Sequence, residues 1–543
     1  MLSFLRFGRC NASRFEPVAL FLCFSLFYIF LAWIVCGGDR WWVIDYVDGS
    51  NVFYGDDAYR FFLARSAWLN PDLYTYNFVL PGFLLLDGAV VSVADGDLFI
   101  SRAIHALLAG LSLVFIWLSG LHVRIDKYVM MAAILVVGLL PRFALTSLSF
   151  YGEAWLAFVL CGVIYFFLHH RFFVVAVLAS LLPLIRPEGM FFWVPLWLFM
   201  LKEKRWGEML IMLLPGFLYF VYLNLALPSL SDYGYWRLEL RKILNKLVLN
   251  KSFWDWLDTY SLLLVVPAFL GWLYQPLRVL WPILVGAGMW FGWLMVLMVG
   301  GYSDYEDRYT FILIPVMALL WSGFLQWVSE RLDLVGRSRR LFSFAVAIAA
   351  FSIIFSHFAN MYMIKGSVKY VGAAATMENV VKGNWEKLFM YDSAETVEGW
   401  QAATSHIESL LASDPDIDRV IIFDHAFYYF LDPEMVPENV IVGYATNGYR
   451  VFHILFDGQV FAQHSGGKMY SYFDFSEPSF GAGEKRAIYV DLMPLEGYPY
   501  SWNFSGHEVY LFAYEDSLEP GKSLDAAPMI DLELMKKAYE KWW

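Results

Sequence analysis

Charge is what this sequence is shortest of. Asp, Glu, Lys and Arg make up 17% of its 543 residues, against 59% hydrophobic, where a water-soluble domain ordinarily carries about a quarter charged residues. That shortage excludes a soluble globule of this length and points to a bilayer as the solvent for much of the chain. Cysteine is almost absent as well. Cys10 precedes the first apolar run, Cys23, Cys36 and Cys161 lie in or beside apolar runs, and the polar tail has none, so neither a disulfide framework nor a Cys-rich metal site is readable. The ten histidines show no HExxH or comparable spacing, which leaves them structural rather than zinc-binding. A net charge of −12 argues against nucleic acid as the main partner. Internal repeats and low-complexity tracts are missing too, and Gly467-Lys468 lacks the earlier glycine of a P-loop.

What the chain has in abundance is apolar runs. Segments long and apolar enough to cross about 30 Å of hydrocarbon fall near 18–36, 99–121, 128–146, 154–168, 172–186, 189–201, 208–226, 261–274, 279–299, 309–327 and 341–357, about eleven in all. Arg6, Arg9 and Arg14 precede the first, which has no small-residue cleavage site and reads as a retained anchor. Residues 79–94 are apolar but carry Pro81, Gly82, Asp87 and Gly88, a pattern expected of an interfacial or re-entrant segment rather than a span. Arg124, Lys127, Arg171, Lys202, Lys204, Arg205, Arg278, Arg331, Arg337, Arg339 and Arg340 fall on one side with the N-terminal arginines, and the positive-inside rule makes that side cytoplasmic. The other side receives an outer loop at 37–98, a second at 227–260, and everything after about 360. The loop at 227–260 fits poorly, because it is basic, with Arg237, Arg241, Lys242, Lys246 and Lys251.

The expected fold class is an α-helical polytopic membrane protein with a C-terminal soluble α/β domain. Residues 1–360 form the transmembrane part, and 361–543 the extracytoplasmic domain. In the latter a helix is expected around Ala402–Leu411, a turn at Asp414-Pro415, and strands at Val420–Phe423, Val451–Phe456, Ile488–Leu492 and Val509–Phe512, with a hairpin turn at Asp457-Gly458.

Four charged clusters, distant in sequence, fall on the outer side. GDDAYRFFLAR holds Asp56, Asp57, Arg60 and Arg65; SFYGEAW holds Glu153; LIRPEGMFFW holds Arg186 and Glu188; GGYSDYEDRYTFILIP holds Glu306, Arg308 and Tyr309. Taken singly, each has a plain structural explanation: an acidic residue at a helix start, an ion pair sealing a proline turn, or a solvated loop. Together they suggest chemistry. Paired carboxylates can take a proton from a hydroxyl nucleophile, and arginines on the same face can hold a phosphate leaving group through charge-assisted hydrogen bonds.

An acidic pair after the first span, a second acid after the third, an RPEG turn and an Asp-Arg-Tyr run opening a late helix resemble the C-type glycosyltransferase superfamily over roughly residues 15–360. That superfamily includes polyprenyl-phosphate-sugar mannosyltransferases, the lipid A aminoarabinose transferase, arabinosyltransferases and oligosaccharyltransferases. The resemblance implies transfer of a sugar, with inversion, from a polyprenyl-phosphate donor to an acceptor hydroxyl on a glycan, lipid or exported protein. It implies Asp56 as catalytic base, Asp57 as the adjacent acid orienting the acceptor, and Glu153 as the second acid, for the acceptor or a metal. Arg60, Arg186, Glu188, Glu306, Arg308 and Tyr309 would serve the donor side, and Arg241, Lys242 and Lys246 would close over the carrier phosphate. Metal dependence divides the superfamily; a carboxylate site without His or Cys suits Mg or Mn rather than Zn, and neither is assigned. A bacterial inner membrane with a cytoplasmic N-terminus and a periplasmic C-terminal domain is the expected location, an endoplasmic reticulum membrane the alternative. The rival readings are a transporter, whose ionisable sites would sit near the midplane and which often shows repeats, and a non-catalytic scaffold with a ligand-binding tail.

Overall fold

The computed structural model describes residues 15–36, 56–68, 74, 80–226, 267–300, 311–364, 394–413, 415, 417–422, 430–437, 440–446, 450–455, 473–474, 486–491, 502–504 and 507–515. Up to residue 364 the described chain is helical. In order come α1 (Phe15–Cys36), α2 (Asp56–Ser66), α3 (Pro81–Val93), α4 (Leu98–His122), α5 (Lys127–Leu139), α6 (Pro141–Thr146), α7 (Gly152–Leu168), α8 (Phe172–Ile185), α9 (Gly189–Lys202), α10 (Trp206–Ala226), two short 3-10 turns, α11 (Trp281–Gly300), α12 (Ile314–Arg331) and α13 (Arg337–Ile364).

Four stretches, Phe15–Ala32, Leu98–His122, Gln275–Leu294 and Phe311–Arg331, are helical, long and apolar enough to cross a membrane; α3, α5, α7, α8, α9 and most of α10 are shorter apolar helices. Leu22, Leu26 and Phe30 of α1 and Leu210, Leu214 and Phe217 of α10 are exposed. Such an apolar exterior suits hydrocarbon rather than water, as expected of a multi-pass membrane protein.

The expected span at 128–146 is divided, and the segment within 79–94 is a single short helix. The apolar run 128–146 is not one helix: Leu140 is extended (φ −60, ψ 123), as a residue before proline prefers, and Pro141 starts α6. Residues 81–93 form one continuous helix through Gly82, Asp87 and Gly88, with Pro81 in its first turn. At 13 residues it is about 20 Å long, too short to cross the hydrocarbon unaided.

The helix ends sort into two sets. At one end Lys127 Nζ pairs with Glu16 Oε1 at 2.9 Å, the Tyr274 hydroxyl donates to the Arg124 carbonyl at 2.9 Å, Arg339 Nη1 lies 3.8 Å from Asp126 Oδ2, and Arg205 covers the Phe172 ring at 4.6 Å. Helices α4, α7, α9 and α12 all finish here in the same way. Ile125, Arg171, Arg205 and Leu334 each donate to the carbonyl five residues back, at 2.9–3.0 Å, while Arg124, His170, Lys204 and Asp333 take positive φ of 52–66°. This is the Schellman closure, which satisfies otherwise orphaned carbonyls. The opposite ends of the same helices carry the acids and arginines described below.

Beyond residue 393 the described chain comprises α14 (Ala394–Ser413) and strands β1 (Ile417–Ile422), β2 (Ile441–Thr446), β3 (Arg450–Leu455), β4 (Phe473–Asp474), β5 (Arg486–Asp491), β6 (Trp502–Phe504) and β7 (His507–Glu515). The sheet order is β4-β3-β2-β1-β5-β7-β6. Strand β1 runs parallel to β2 and β5, and the outer pairings are antiparallel. The turn at Asp457-Gly458 and the pair Gly467-Lys468 lie outside the described residues, as does Asp414.

Candidate active site

The start of α2 is fixed by a buried acid. Asp57 is fully buried; its Oδ2 accepts from Arg102 Nη2 at 2.8 Å and its Oδ1 from the Phe150 backbone N–H. Arg102 is 1% exposed and its guanidinium lies 5.6 Å from the centre of the Phe150 ring. The first turns of α2 and α4 and the segment leading into α7 are therefore tied through one carboxylate. The rest of α2 is anchored by Phe61, Phe62, Leu63 and Ala64, all fully buried. Asp56, one residue earlier, opens the helix.

Beside this pair lies a second cluster. The fully buried Glu153, in the first turn of α7, has Oε1 at 2.9 Å from Arg186 Nη1. The same guanidinium donates to Glu188 through Nε (3.0 Å) and Nη2 (2.7 Å), a bidentate geometry with directional strength. The chain builds this fork locally. Pro187 and the break between α8 and α9 turn Glu188 back onto Arg186, and Gly152 makes room for the arginine stem, since a Cβ there would stand 3.0 Å from Arg186 Cγ. In that turn burial pushes the Glu188 carboxyl up, but the Arg186 guanidinium, helped by Arg60, more than offsets it and holds the acid below its ordinary value. Arg60 itself is 6% exposed and lies 5.4 Å from the Tyr151 ring centre.

Asp57, Glu153 and Glu188 thus face Arg60, Arg102 and Arg186 with balanced formal charge. They come from the starts of α2, α4 and α7 and from the α8–α9 turn, all at the end of the bundle opposite the basic loops. Of the residues singled out from sequence, Asp57, Arg60, Glu153, Arg186 and Glu188 are brought together here. The Asp56 side chain lies outside the described side chains, and Arg241, Lys242, Lys246, Glu306, Arg308 and Tyr309 lie outside the described residues. Two residues beyond Tyr309, Phe311 stacks on Phe143 with ring centres 5.5 Å apart.

Sequence reasoning missed the pairing of Arg102 with Asp57 and the contacts among Asp87, His105 and Trp155. Asp87 Oδ1 lies 2.7 Å from His105 Nε2 and accepts from Trp155 Nε1 at 2.7 Å. The available signal was Arg102 and His105 three residues apart on an otherwise apolar helix, and a lone acid in α3. No group of three or more His, Cys, Asp or Glu among the described residues is arranged to hold a metal ion. The three described site carboxylates are instead engaged by arginine or backbone N–H.

No protein-family description matches this chain, and no curated protein matches it. Two crystal structures of ArnT from Cupriavidus metallidurans are similar to it. The apo form shares 15% identity and a TM-score of 0.46 over 88% of this chain and 93% of that one. The form bound to undecaprenyl phosphate shares 15% identity and a TM-score of 0.49 over 94% of this chain and 99% of that one.

Proposed function

We propose that this chain is a C-type membrane glycosyltransferase that moves a sugar from a polyprenyl-phosphate donor to an acceptor hydroxyl, with inversion, at the extracytoplasmic face. The observation carrying the proposal is the convergence of four sequence-distant segments into one buried set of acids and arginines at the end of the bundle away from the basic loops. The positive-inside rule makes those loops cytoplasmic, so the site opens on the other side. Residues 394–515 would belong to the soluble domain on that side.

In this reading Asp56 is the base. Asp57 is proposed as the adjacent acid that orients the acceptor. The hydrogen bonds its two oxygens accept from Arg102 and the Phe150 N–H also pin the first turn of α2 and so place Asp56. The base takes the acceptor hydroxyl proton as the oxygen attacks the anomeric carbon. The bond to the carrier phosphate breaks on the opposite face, and the phosphate departs with the electron pair. Positioned proton removal contributes about 10²–10⁴-fold. Because the described charges already balance, the leaving phosphate needs further cations, and Arg241, Lys242, Lys246 and Arg308 are the ones proposed to supply them. No step is routed through a metal.

The test is transfer by the purified full chain from radiolabelled polyprenyl-phosphate sugars to a panel of hydroxyl acceptors, with Asp56→Asn alongside. Transfer by the wild type and its loss in Asp56→Asn are expected. Equal transfer by both removes Asp56 as base, and no transfer or donor binding by the wild type removes the glycosyltransferase reading.

A further inference from the structure

Behind the site lies a polar cluster that the proposed chemistry does not use. Asp87, in the middle of α3, is fully buried, and His105 of α4 is 2% exposed. His105 Nδ1 lies 3.1 Å from the Ser149 carbonyl oxygen, which can only accept, so Nδ1 carries a hydrogen. On the other side of the ring Nε2 faces Asp87 Oδ1 at 2.7 Å, a separation that requires a proton between them. The Trp155 indole N–H already donates to that same oxygen at 2.7 Å. Nδ1 therefore donates to the Ser149 carbonyl, and one proton is shared between Nε2 and Asp87 Oδ1. Asp87 Oδ2 has no hydrogen-bond partner among the described residues, so compensation for this buried acid runs through Oδ1 alone.

The cluster is aimed at one piece of backbone. Ser149 is held by His105, and Ser149 Oγ donates to the Thr146 carbonyl at 2.7 Å. Phe150 packs between rings, 5.2 Å from His105 and 4.8 Å from Phe61 of α2. The next bond in the series is the Phe150 N–H to Asp57. A plain core would fill this space with apolar side chains and avoid desolvating a carboxyl group, which is costly. What an apolar core does not provide is a fixed orientation for the peptide units at 149–151.

Resting on the glycosyltransferase reading for its catalytic consequence, we propose that Asp87, His105 and Trp155 are positioning residues that lock residues 149–151, thereby fixing the Phe150 N–H on Asp57 and the start of α2 that carries Asp56. They touch no substrate; they act through Asp57.

Two variants of the full-length protein in detergent test this. Asp87→Asn removes the carboxyl that shares a proton with His105, and Trp155→Phe keeps an aromatic ring but removes the N–H donor, a milder change that guards against a misfolded Asp87→Asn. Amide hydrogen exchange is followed over residues 147–151, with α5 as internal reference. The expected result is at least about tenfold faster exchange in that segment for Asp87→Asn, a smaller rise for Trp155→Phe, and an unchanged reference helix. In the transfer assay kcat falls about 10–100-fold in Asp87→Asn while KM for the donor stays within about twofold, the signature of a lost transition-state interaction. Unchanged exchange at 147–151 in both variants overturns the lock, and a loss that appears only in KM overturns the positioning role. If the wild type transfers nothing, the function proposed above fails, while the exchange measurement still decides whether the lock exists.

Discussion

Consider removing Arg102 by substitution with Met, which keeps most of the volume and deletes the charge. Asp57 is fully buried and Arg102 is 1% exposed, with the ion pair at 2.8 Å, so water does not replace the lost partner. Asp57 would keep the Phe150 N–H but lose the guanidinium. Breaking a buried pair from one side costs about 3–5 kcal/mol, and loss of the guanidinium from the Phe150 ring adds about 0.5–2 kcal/mol. A loss of about 4 kcal/mol is therefore expected for Arg102→Met, measured by reversible unfolding in mixed detergent micelles. Asp57→Leu should cost a similar amount by taking the carboxylate away from the buried Arg102. The double variant Asp57→Leu/Arg102→Met should recover at least about 2 kcal/mol relative to the summed singles, because an apolar pair carries no buried charge. Additive losses, or a cost below about 1 kcal/mol for Arg102→Met, would refute the view that this pair holds α2 to α4.

Two further outcomes follow from the fork at Arg186. Glu188 is held below its ordinary carboxylate range, so its stabilising contribution is complete above about pH 4.3 and disappears as pH falls through the depressed value; Glu188→Gln should lower the thermal midpoint near pH 7 and converge with the wild type once the pH lies below that depressed value. Gly152→Ala places a Cβ 3.0 Å from Arg186 Cγ and 3.2 Å from its Cδ, and is expected to destabilise by about 1–2 kcal/mol. The control Gly216→Ala, with nothing within 4 Å, should instead gain about 0.5–1 kcal/mol in thermal unfolding.

How much of this was legible beforehand depended on what kind of signal each feature left. Helices α1, α4, α7 and α11 follow from apolar length alone. The interruption at Leu140 is a purely local consequence of Pro141, present in the sequence but outvoted by the apolar run around it. For α3 the reading that 79–94 is no full span stands beside a continuous 13-residue helix, whose packing accommodates Gly82, Asp87 and Gly88. Gly88 lies where a Cβ would approach Trp68 Nε1 to 2.9 Å, so that glycine serves a helix crossing rather than a turn. In the tail, α14 covers the expected helix and β1, β3, β5 and β7 overlap the expected strands, whereas β2 (Ile441–Thr446) escaped because IVGYAT contains Gly443 and no clear alternation. Of the site, Asp57, Glu153, Arg186 and Glu188 were visible as charges at helix ends. The pairing Asp57–Arg102 and the Asp87–His105 contact were not, because partners 45 and 18 residues apart are chosen by packing.

Helix α2 also has a second tether. Near its far end Arg65 Nη2 meets Asp432 Oδ1 at 3.0 Å, while Glu408 Oε1 of α14 accepts from the Asp432 backbone N–H at 2.9 Å. With Asp57 gripped at one end and Arg65 at the other, these 11 residues act mechanically as a strut about 16 Å long. The Arg65–Asp432 contact therefore fastens residues 430–437 to the same helix whose first residue is Asp56.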